Sequence, residues 1–299
     1  MTELLVTAVI VTYESASIID DCLEGLVGDD RVQVVVVDSG STDGSAELAA
    51  AHDGVVCIPQ RENVGWSVAS NIGAAVSSAA AIAFVNPDTR ATSGQLVTLA
   101  SHLGGEVASV SPLFVGDSGE PQHFYFRLPT PLSGPFLYLN SGQRLDEKLG
   151  RPFIRHHLYS EKLPVGHPAH AGAACMVVDA SEFRRLGGFD ERMWVFFSDM
   201  DLSRRLERDG KRLLVDWDVC VAHSGGGSVK ALDLGGLQSM LQRDYVAYSR
   251  AAFSRAGRTL TWGAVWGFSG VIPATMALAH GDRHTARECI HRARSVLRK

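Results

Sequence analysis

Cysteine is sparse and follows no pattern in this chain. Five of its 299 residues are cysteine (Cys22, Cys57, Cys175, Cys220 and Cys289), an odd number with no Cys-x-x-Cys spacing. That excludes a zinc-finger scaffold and a disulfide framework, and it fits buried thiols in a reducing cytosol. Basic residues are in deficit: 28 Lys and Arg stand against 33 Asp and Glu, for a net charge of −5. A general nucleic-acid binder needs a basic surface to neutralise phosphate, so no nucleic-acid partner is expected. No positive residue precedes the apolar run of residues 4–11, so no signal peptide is read there. His-Glu-x-x-His pairs are missing, as is any internal repeat. A dinucleotide-dependent oxidoreductase needs Gly-x-Gly-x-x-Gly after its first strand; here the sequence reads TYESAS.

What is present is a globular composition, 45% hydrophobic and 20% charged. At about 150 residues per domain, the length allows one large domain or two small ones. The first hundred residues alternate β-branched apolar runs with helix-like runs. Strands are expected at residues 6–13, 32–39 and 80–88, the second a near-continuous valine run as in a strand buried on both faces. Helices are expected around residues 18–26, 46–51 and 66–79 and from Ser93 to Leu103. This alternation predicts an α/β fold with a mostly parallel sheet flanked by helices. Ligands of such sheets sit at the carboxyl ends of the strands, which singles out residues 12–14, 38–41 and 86–89. Residues 116–170 are rich in Pro, Gly, Ser and aromatics without a period, and read as long loops that flap over a site. A strand is expected at 175–179, helices at 181–186 and 198–210, and a strand at 212–223. A loop at Gly225, Gly226 and Gly227 follows, and helix from Leu232 onward.

Several polar residues stand out against this frame. An acid that ends an apolar strand is costly without a partner, so Asp38 reads as a ligand contact. Ser41, Thr42 and Asp43 read as turn and cap chemistry. Asp88 closes an Asn86-Pro87-Asp88 turn, and one carboxylate there can bind Mg2+ or Mn2+ beside a diphosphate. Ser198, Asp199 and Asp201 open a helix, where acids complement the helix dipole. Asp201, four residues before Arg205, reads as structural, and Asp199 as a general base flanked by the apolar run 193–197. His223 ends a strand beside the glycine loop and reads as a metal or phosphate contact. His156, His157, His167 and His170 fall in the loop region, either facing an acceptor or solvated.

The segments VIVTYES, VVVVDSGSTDGS, ENVGWSVASNIGAA, FVNPDT, GGFDERMWVFFSDMDLSRRL and VAHSGGGS occur in this order over residues 6–230. Together they resemble the family 2 inverting glycosyltransferases, closest to a rhamnosyltransferase-like branch. The resemblance implies a GT-A-like fold and transfer of a hexose or deoxyhexose such as rhamnose from a UDP- or dTDP-sugar to an acceptor hydroxyl. It places Thr12, Tyr13 and Glu14 in the nucleoside pocket and Asp38 on the base. It places Asn63, Gly65 and Asn71 on the wall near ribose and diphosphate, with Asn86 in place of the first acid of the metal-binding element. Asp88 is its last acid, His223 completes the metal site, and Asp199 is the catalytic base. Two departures stand: Ser198 replaces the glutamate before the base, and the Gly-Ala-Cys-Met element is one residue longer, Gly172 to Met176. The first keeps a non-catalytic nucleotide-sugar-binding protein of the same fold as an alternative.

The chain thus divides into a nucleotide-sugar half at 1–110, an acceptor and catalytic half at 111–231, and C-terminal helices at 232–299. Residues 260–279 carry no charge but hold three glycines and a proline, with arginines on both sides. Three readings stand for them: packing on the catalytic region, a homo-oligomer contact, or peripheral contact with a membrane. A lipid-linked glycan acceptor goes with the last, whereas a small natural product needs no membrane. A cytoplasmic protein, free or at the inner face of a membrane, is expected.

Overall fold

The computed structural model describes residues 3–122, 125–157, 169–225 and 234–298. Its strands are β1 (Val6–Thr12), β2 (Val32–Asp38), β3 (Val55–Pro59), β4 (Ala81–Val85), β5 (Thr89–Arg90), β6 (Val107–Val115), β7 (Tyr125–Phe126), β8 (His170–Ala171), β9 (Cys175–Asp179) and β10 (Arg212–His223). Eight form one sheet in the order β3-β2-β1-β4-β9-β6-β10-β5, and β7 and β8 form a separate ribbon. Every residue of β1 and β4 is buried, because helices cover both faces and leave no polar side. β1 runs parallel to β2 and β4, and β6 runs parallel to β10. β9 is antiparallel to both its neighbours, β4 and β6. The carboxyl ends of β1, β2, β4, β6 and β10 and the amino end of β9 therefore share one edge. The fold is a GT-A-like α/β fold with C-terminal helices, as the sequence predicts.

Alternate residues of each strand feed opposite layers. Ile10 and Val36 pack with Leu23, Leu26, Leu96 and Leu99 on one face. Val9, Phe84 and Met176 pack with Phe183, Phe189 and Leu202 on the other. A third cluster joins Met193, Phe197 and Met200 to Tyr245, Tyr248 and Val265, so the C-terminal helices dock beside the start of helix Ser198–Arg208.

Several expectations need correction. Residues 116–170 are not all loop: they include helices Gly134–Tyr138, Asn140–Lys148 and Pro152–His157, and the β7–β8 ribbon. Tertiary contacts hold these short helices, which are too short to stand alone. Phe136 stacks on Phe153 at 4.1 Å, and buried Asp146 accepts from the Phe153 and Ile154 amides. The third expected strand stops at Val85, and the helix from Trp66 stops at Ala75. Strands β3 and β6 were not expected at all. His167, Gly226, Gly227 and Leu232 lie outside the described residues, as do the His156 and His157 side chains.

Candidate active site

Thr12 and Asp38 face each other in register at the ends of β1 and β2. Asp38 Oδ2 accepts from the amides of Gly40 and Ser41, at 3.1 and 3.0 Å, which fixes the carboxylate. Its other oxygen, Oδ1, and the Thr12 hydroxyl are buried and hydrogen-bond to none of the described residues. Buried polar atoms are normally paired, so two orphans side by side fit a polar ligand that would complete them. Glu14 plays a different part. Its Oε1 accepts from the Thr42 amide and hydroxyl, while its own amide donates to Ser41 Oγ at 3.0 Å. Asp43 in turn accepts from the Ala16 and Ser45 amides. Ser41, Thr42 and Asp43 are thus turn chemistry, and Glu14 clasps the first loop to the second. Its φ of 50° is a left-handed value that non-glycine residues seldom adopt. Tyr13 stands half-buried between Thr12 and this clasp.

Asn63 and Asn71 shape the wall from within. Asn63 Oδ1 accepts from the Gly65 amide at 2.9 Å and from the Ser39 hydroxyl. Asn71 accepts from the Phe189 amide and donates to the Phe189 carbonyl and to Glu191, stapling helix Trp66–Ala75 to the 188–191 turn. Gly65 is required by contact as well as by backbone. It has φ 82°, and a Cβ there would lie 2.7 Å from the Trp194 ring. Trp194 therefore closes over the glycine.

At the other end of the edge, Asp88 and His223 meet. Both side chains are over nine-tenths buried, and His223 Nε2 lies 3.6 Å from Asp88 Oδ1. Gln122, which the sequence reading missed, fixes the tautomer. Its Nε2 donates to the His223 carbonyl at 2.7 Å, so its Oε1 must face His223 Nδ1, at 3.0 Å. Nδ1 therefore carries the proton, and Nε2 is the acceptor nitrogen turned toward Asp88. Burial lowers the His223 pKa, against a smaller opposing effect of Asp88, and favours the neutral form that ligates metals. The described residues hold no cluster of three or more His, Cys, Asp or Glu around one point. Two buried donors suit Mg2+ or Mn2+, which take one or two protein ligands and fill the rest with phosphate oxygens and water. Asn86 stands beside them: its amide donates to the Ala174 carbonyl at 2.9 Å, and Thr89 Oγ1 donates to the same carbonyl.

Asp199 reaches the edge from the first turn of helix Ser198–Arg208. Its Oδ2 accepts from the Ala173 amide at 3.1 Å and its Oδ1 from the Met200 amide at 2.8 Å. The side chain is 20% exposed, accessible where Asp201, at 2%, is not. Asp201 is sealed between Arg204 and Arg205 and is structural, as its spacing predicts. Ser198 is fully buried and bonded to Ser67 and Met193, which leaves no room for a glutamate. Phe197, just before, has φ 72°, an outlier for an aromatic and a strain held in place by its neighbours. Among these is Asp244, fully buried, whose Oδ2 accepts from the Val195 and Phe196 amides at 2.9 and 3.0 Å. His170 lies behind Asp199. Ser203 Oγ donates to the Asp199 carbonyl and so accepts from His170 Nδ1, turning the Nε2 of the neutral ring toward Asp199 Oδ2 at 3.5 Å. Residues 173 and 174 bridge Asp199 and the turn that carries Asp88, bonding the Asp199 carboxylate on one side and the Asn86 backbone on the other. The structure thus brings Asp88, His223, Asn86 and Asp199 along β4, β9 and β10, with Thr12 and Asp38 one and two strands beyond β4.

A sequence profile described as Glycosyl transferase family 2 matches residues 7–174. Among curated proteins, the chain is 26% identical over 226 residues to an N-acetylglucosaminyl-diphospho-decaprenol L-rhamnosyltransferase of Mycobacterium tuberculosis, covering 70% of this chain and 72% of the relative. Among solved structures, it is similar to mannosyltransferase PcManGT from Pyrobaculum calidifontis in complex with GDP-Man and Mn2+. The TM-score is 0.54 at 16% identity, over 99% of this chain and 86% of that one. It is also similar to S. aureus TarS 1–349 in complex with UDP-GlcNAc, with a TM-score of 0.54 at 13% identity over 97% and 92% of the two chains.

Proposed function

Since this chain belongs to Glycosyl transferase family 2, we propose that it transfers a hexose or deoxyhexose, with rhamnose the first candidate, from a UDP- or dTDP-sugar to an acceptor hydroxyl with inversion. The observation that carries this reading is the shared strand edge. Orphaned Thr12 and Asp38 atoms and the Asp88–His223 pair stand at strand ends along one edge of the sheet, and accessible Asp199 reaches that edge from the first turn of helix Ser198–Arg208. Thr12 and Asp38 take the nucleoside, whose base N–H groups and ribose hydroxyls supply the missing partners. Glu14, Asn63, Gly65 and Asn71 hold the walls of that pocket, and Tyr13 and Asn86 line it. Asp88 and His223 would hold a divalent cation, Mg2+ or Mn2+, which when bound would supply positive charge against the departing diphosphate.

The chain's own residues do the rest. Asp199, oriented by two backbone amides, accepts the proton of the acceptor hydroxyl. The hydroxyl oxygen bonds the anomeric carbon from one face as the bond to the diphosphate breaks on the other. A single displacement needs one base and no protein nucleophile. The name of the mycobacterial relative supports rhamnose and a polyprenyl-linked glycan as the acceptor; a small natural product is the other acceptor class. We place the protein in the cytoplasm, where its five free thiols stay reduced.

A thermal-shift screen of UDP- and dTDP-sugars, with and without Mn2+, tests the donor. Stabilisation by one nucleotide sugar that depends on the cation is expected; stabilisation by NAD alone would overturn the reading. The anomeric configuration of the product, read by NMR, tests inversion.

A further inference from the structure

The C-terminal helices carry a face that none of the described residues covers. Residues Arg255–Ala279 form one helical rod with an 18-residue stretch of mean hydropathy 1.2, long and apolar enough to cross a membrane by length and composition. Its inner side is a stripe of small or short residues: Gly257, Thr261, Val265, Gly270 and Ala274, all buried. Successive members are four apart except Val265 and Gly270, which are five apart, where the helix takes a π turn, Trp266–Val271. The π turn thus keeps the buried stripe on one side past the register break. Close approach explains its glycines: a Cβ on Gly257 would lie 2.8 Å from Pro131, and one on Gly270 would lie 2.9 Å from Ala293. The outer side is apolar and exposed, with Leu260 at 52%, Val271 at 39%, Met276 at 54% and Leu278 at 53%. Leu260 precedes the π turn, and Val271 and Leu278, two turns apart, follow it, so the exposed apolar residues spread over a broad face of the rod.

A spanning role conflicts with the neighbour of this rod. Helix Arg283–Arg298 packs along it through Ala286, Ala293 and Val296, and carries Arg283, Arg287, Arg292, Arg294 and Arg298. Hydrocarbon around the rod would swallow those arginines. Arg294 instead sits over the Trp266 ring at 5.7 Å, and Arg250 over Trp262 at 5.2 Å, two cations beside amphipathic rings about one turn apart on the rod. Charge is also segregated. Residues 255–299 hold eight basic and two acidic residues, whereas the preceding 254 hold 20 basic and 31 acidic. A negative surface therefore attracts this end and repels the rest, which sets one orientation.

We propose that this rod lies flat on an anionic lipid bilayer, its exposed Leu260, Val271 and Leu278 inserted among the acyl chains and the neighbouring arginines on the headgroups. Val265 of the rod and Val296 of its neighbour pack in one cluster with Tyr245 and Tyr248 of helix Leu234–Ala252, whose rings lie on Phe197, two residues from Asp199. Delivery of a lipid-linked hydroxyl to Asp199 follows from this docking together with the base assignment above. The docking itself stands apart from that assignment, and its test needs no sugar.

The full chain is sedimented with phosphatidylcholine vesicles, with and without phosphatidylglycerol. Pelleting with the anionic vesicles alone, reversed by salt, is expected. Replacing Arg287 and Arg292 with Glu should lower partition about fivefold or more per residue. The triple variant Leu260→Glu, Val271→Glu, Leu278→Glu should abolish it, with unchanged circular dichroism and nucleotide binding. No pelleting with anionic vesicles would overturn the proposal. Equal pelleting with neutral vesicles would also overturn it, as would a dimer in light scattering that the triple variant dissolves, since a second copy would then cover the face.

Discussion

Two acids two residues apart on one helix meet opposite fates. Asp201 is gripped by Arg204 and Arg205, each at 2.7 Å, and Arg205 also bonds the carbonyls of Leu186 and Gly188. Removing one partner of such a pair leaves uncompensated charge, so Asp201→Ala should lower stability by about 3–5 kcal/mol in urea unfolding. Asp199, at the mouth of the helix, has only backbone donors on its oxygens and a neutral imidazole behind it. The spacing of Asp201 to Arg205 makes this division readable from sequence, because helical neighbours four apart are fixed by geometry. Gln122 was not readable: it lies 101 residues from His223 and carries no motif. If it holds the His223 tautomer, Gln122→Leu should weaken Mn2+ binding about 10–100-fold in a titration while leaving the fold intact.

The element that matters most is the segment 189–197 that leads into helix Ser198–Arg208. It ends in left-handed Phe197 and is pinned from three sides, by Asn71, by Ser67 and by Asp244. Asp244→Ala would orphan two backbone donors and should cost about 2–4 kcal/mol. Turnover should fall further than the stability loss explains, because the base rides on this segment. Sequence marked these residues as apolar and aromatic, but their anchor lies in a helix 50 residues on, and long-range pairing leaves no local signal. Ribbon β7–β8 brings in His170, whose pKa burial lowers, against a smaller opposing effect of Asp199. The unfolded chain takes up this proton near pH 6.5 and the native state only at lower pH, so ν_U exceeds ν_N in that window. Stability should fall as the pH drops below 6.5 and level off once the native imidazole protonates. Thermal melts of wild type and His170→Gln across that range check it, the variant losing part of the acid slope.

At the scale of the whole molecule, the parallel half was legible because its strands are buried on both faces and written in valine and isoleucine. β1, β2 and β10 match expectation almost to the residue. β6 was not legible: Ser109 and Ser111 are buried in it and Pro112 interrupts it, so its composition argues against a central strand although its neighbours accept it. β3 is five residues long at the sheet edge, with Val56 exposed. The antiparallel run of β9 is also invisible locally, yet it carries Ala173 and Ala174 to the carboxyl edge and so joins Asp199 to the turn that carries Asp88. Chelation of divalent cations should abolish transfer, with recovery on adding Mn2+ or Mg2+, if Asp88 and His223 hold the ion.

The most direct test of the account is the turnover of Asp199→Asn beside its affinity for the donor. The amide keeps the shape and one of the two backbone bonds but cannot take a proton. The account predicts donor binding within error of wild type and transfer slowed about 10²–10⁴-fold. Undiminished transfer by the variant would contradict it.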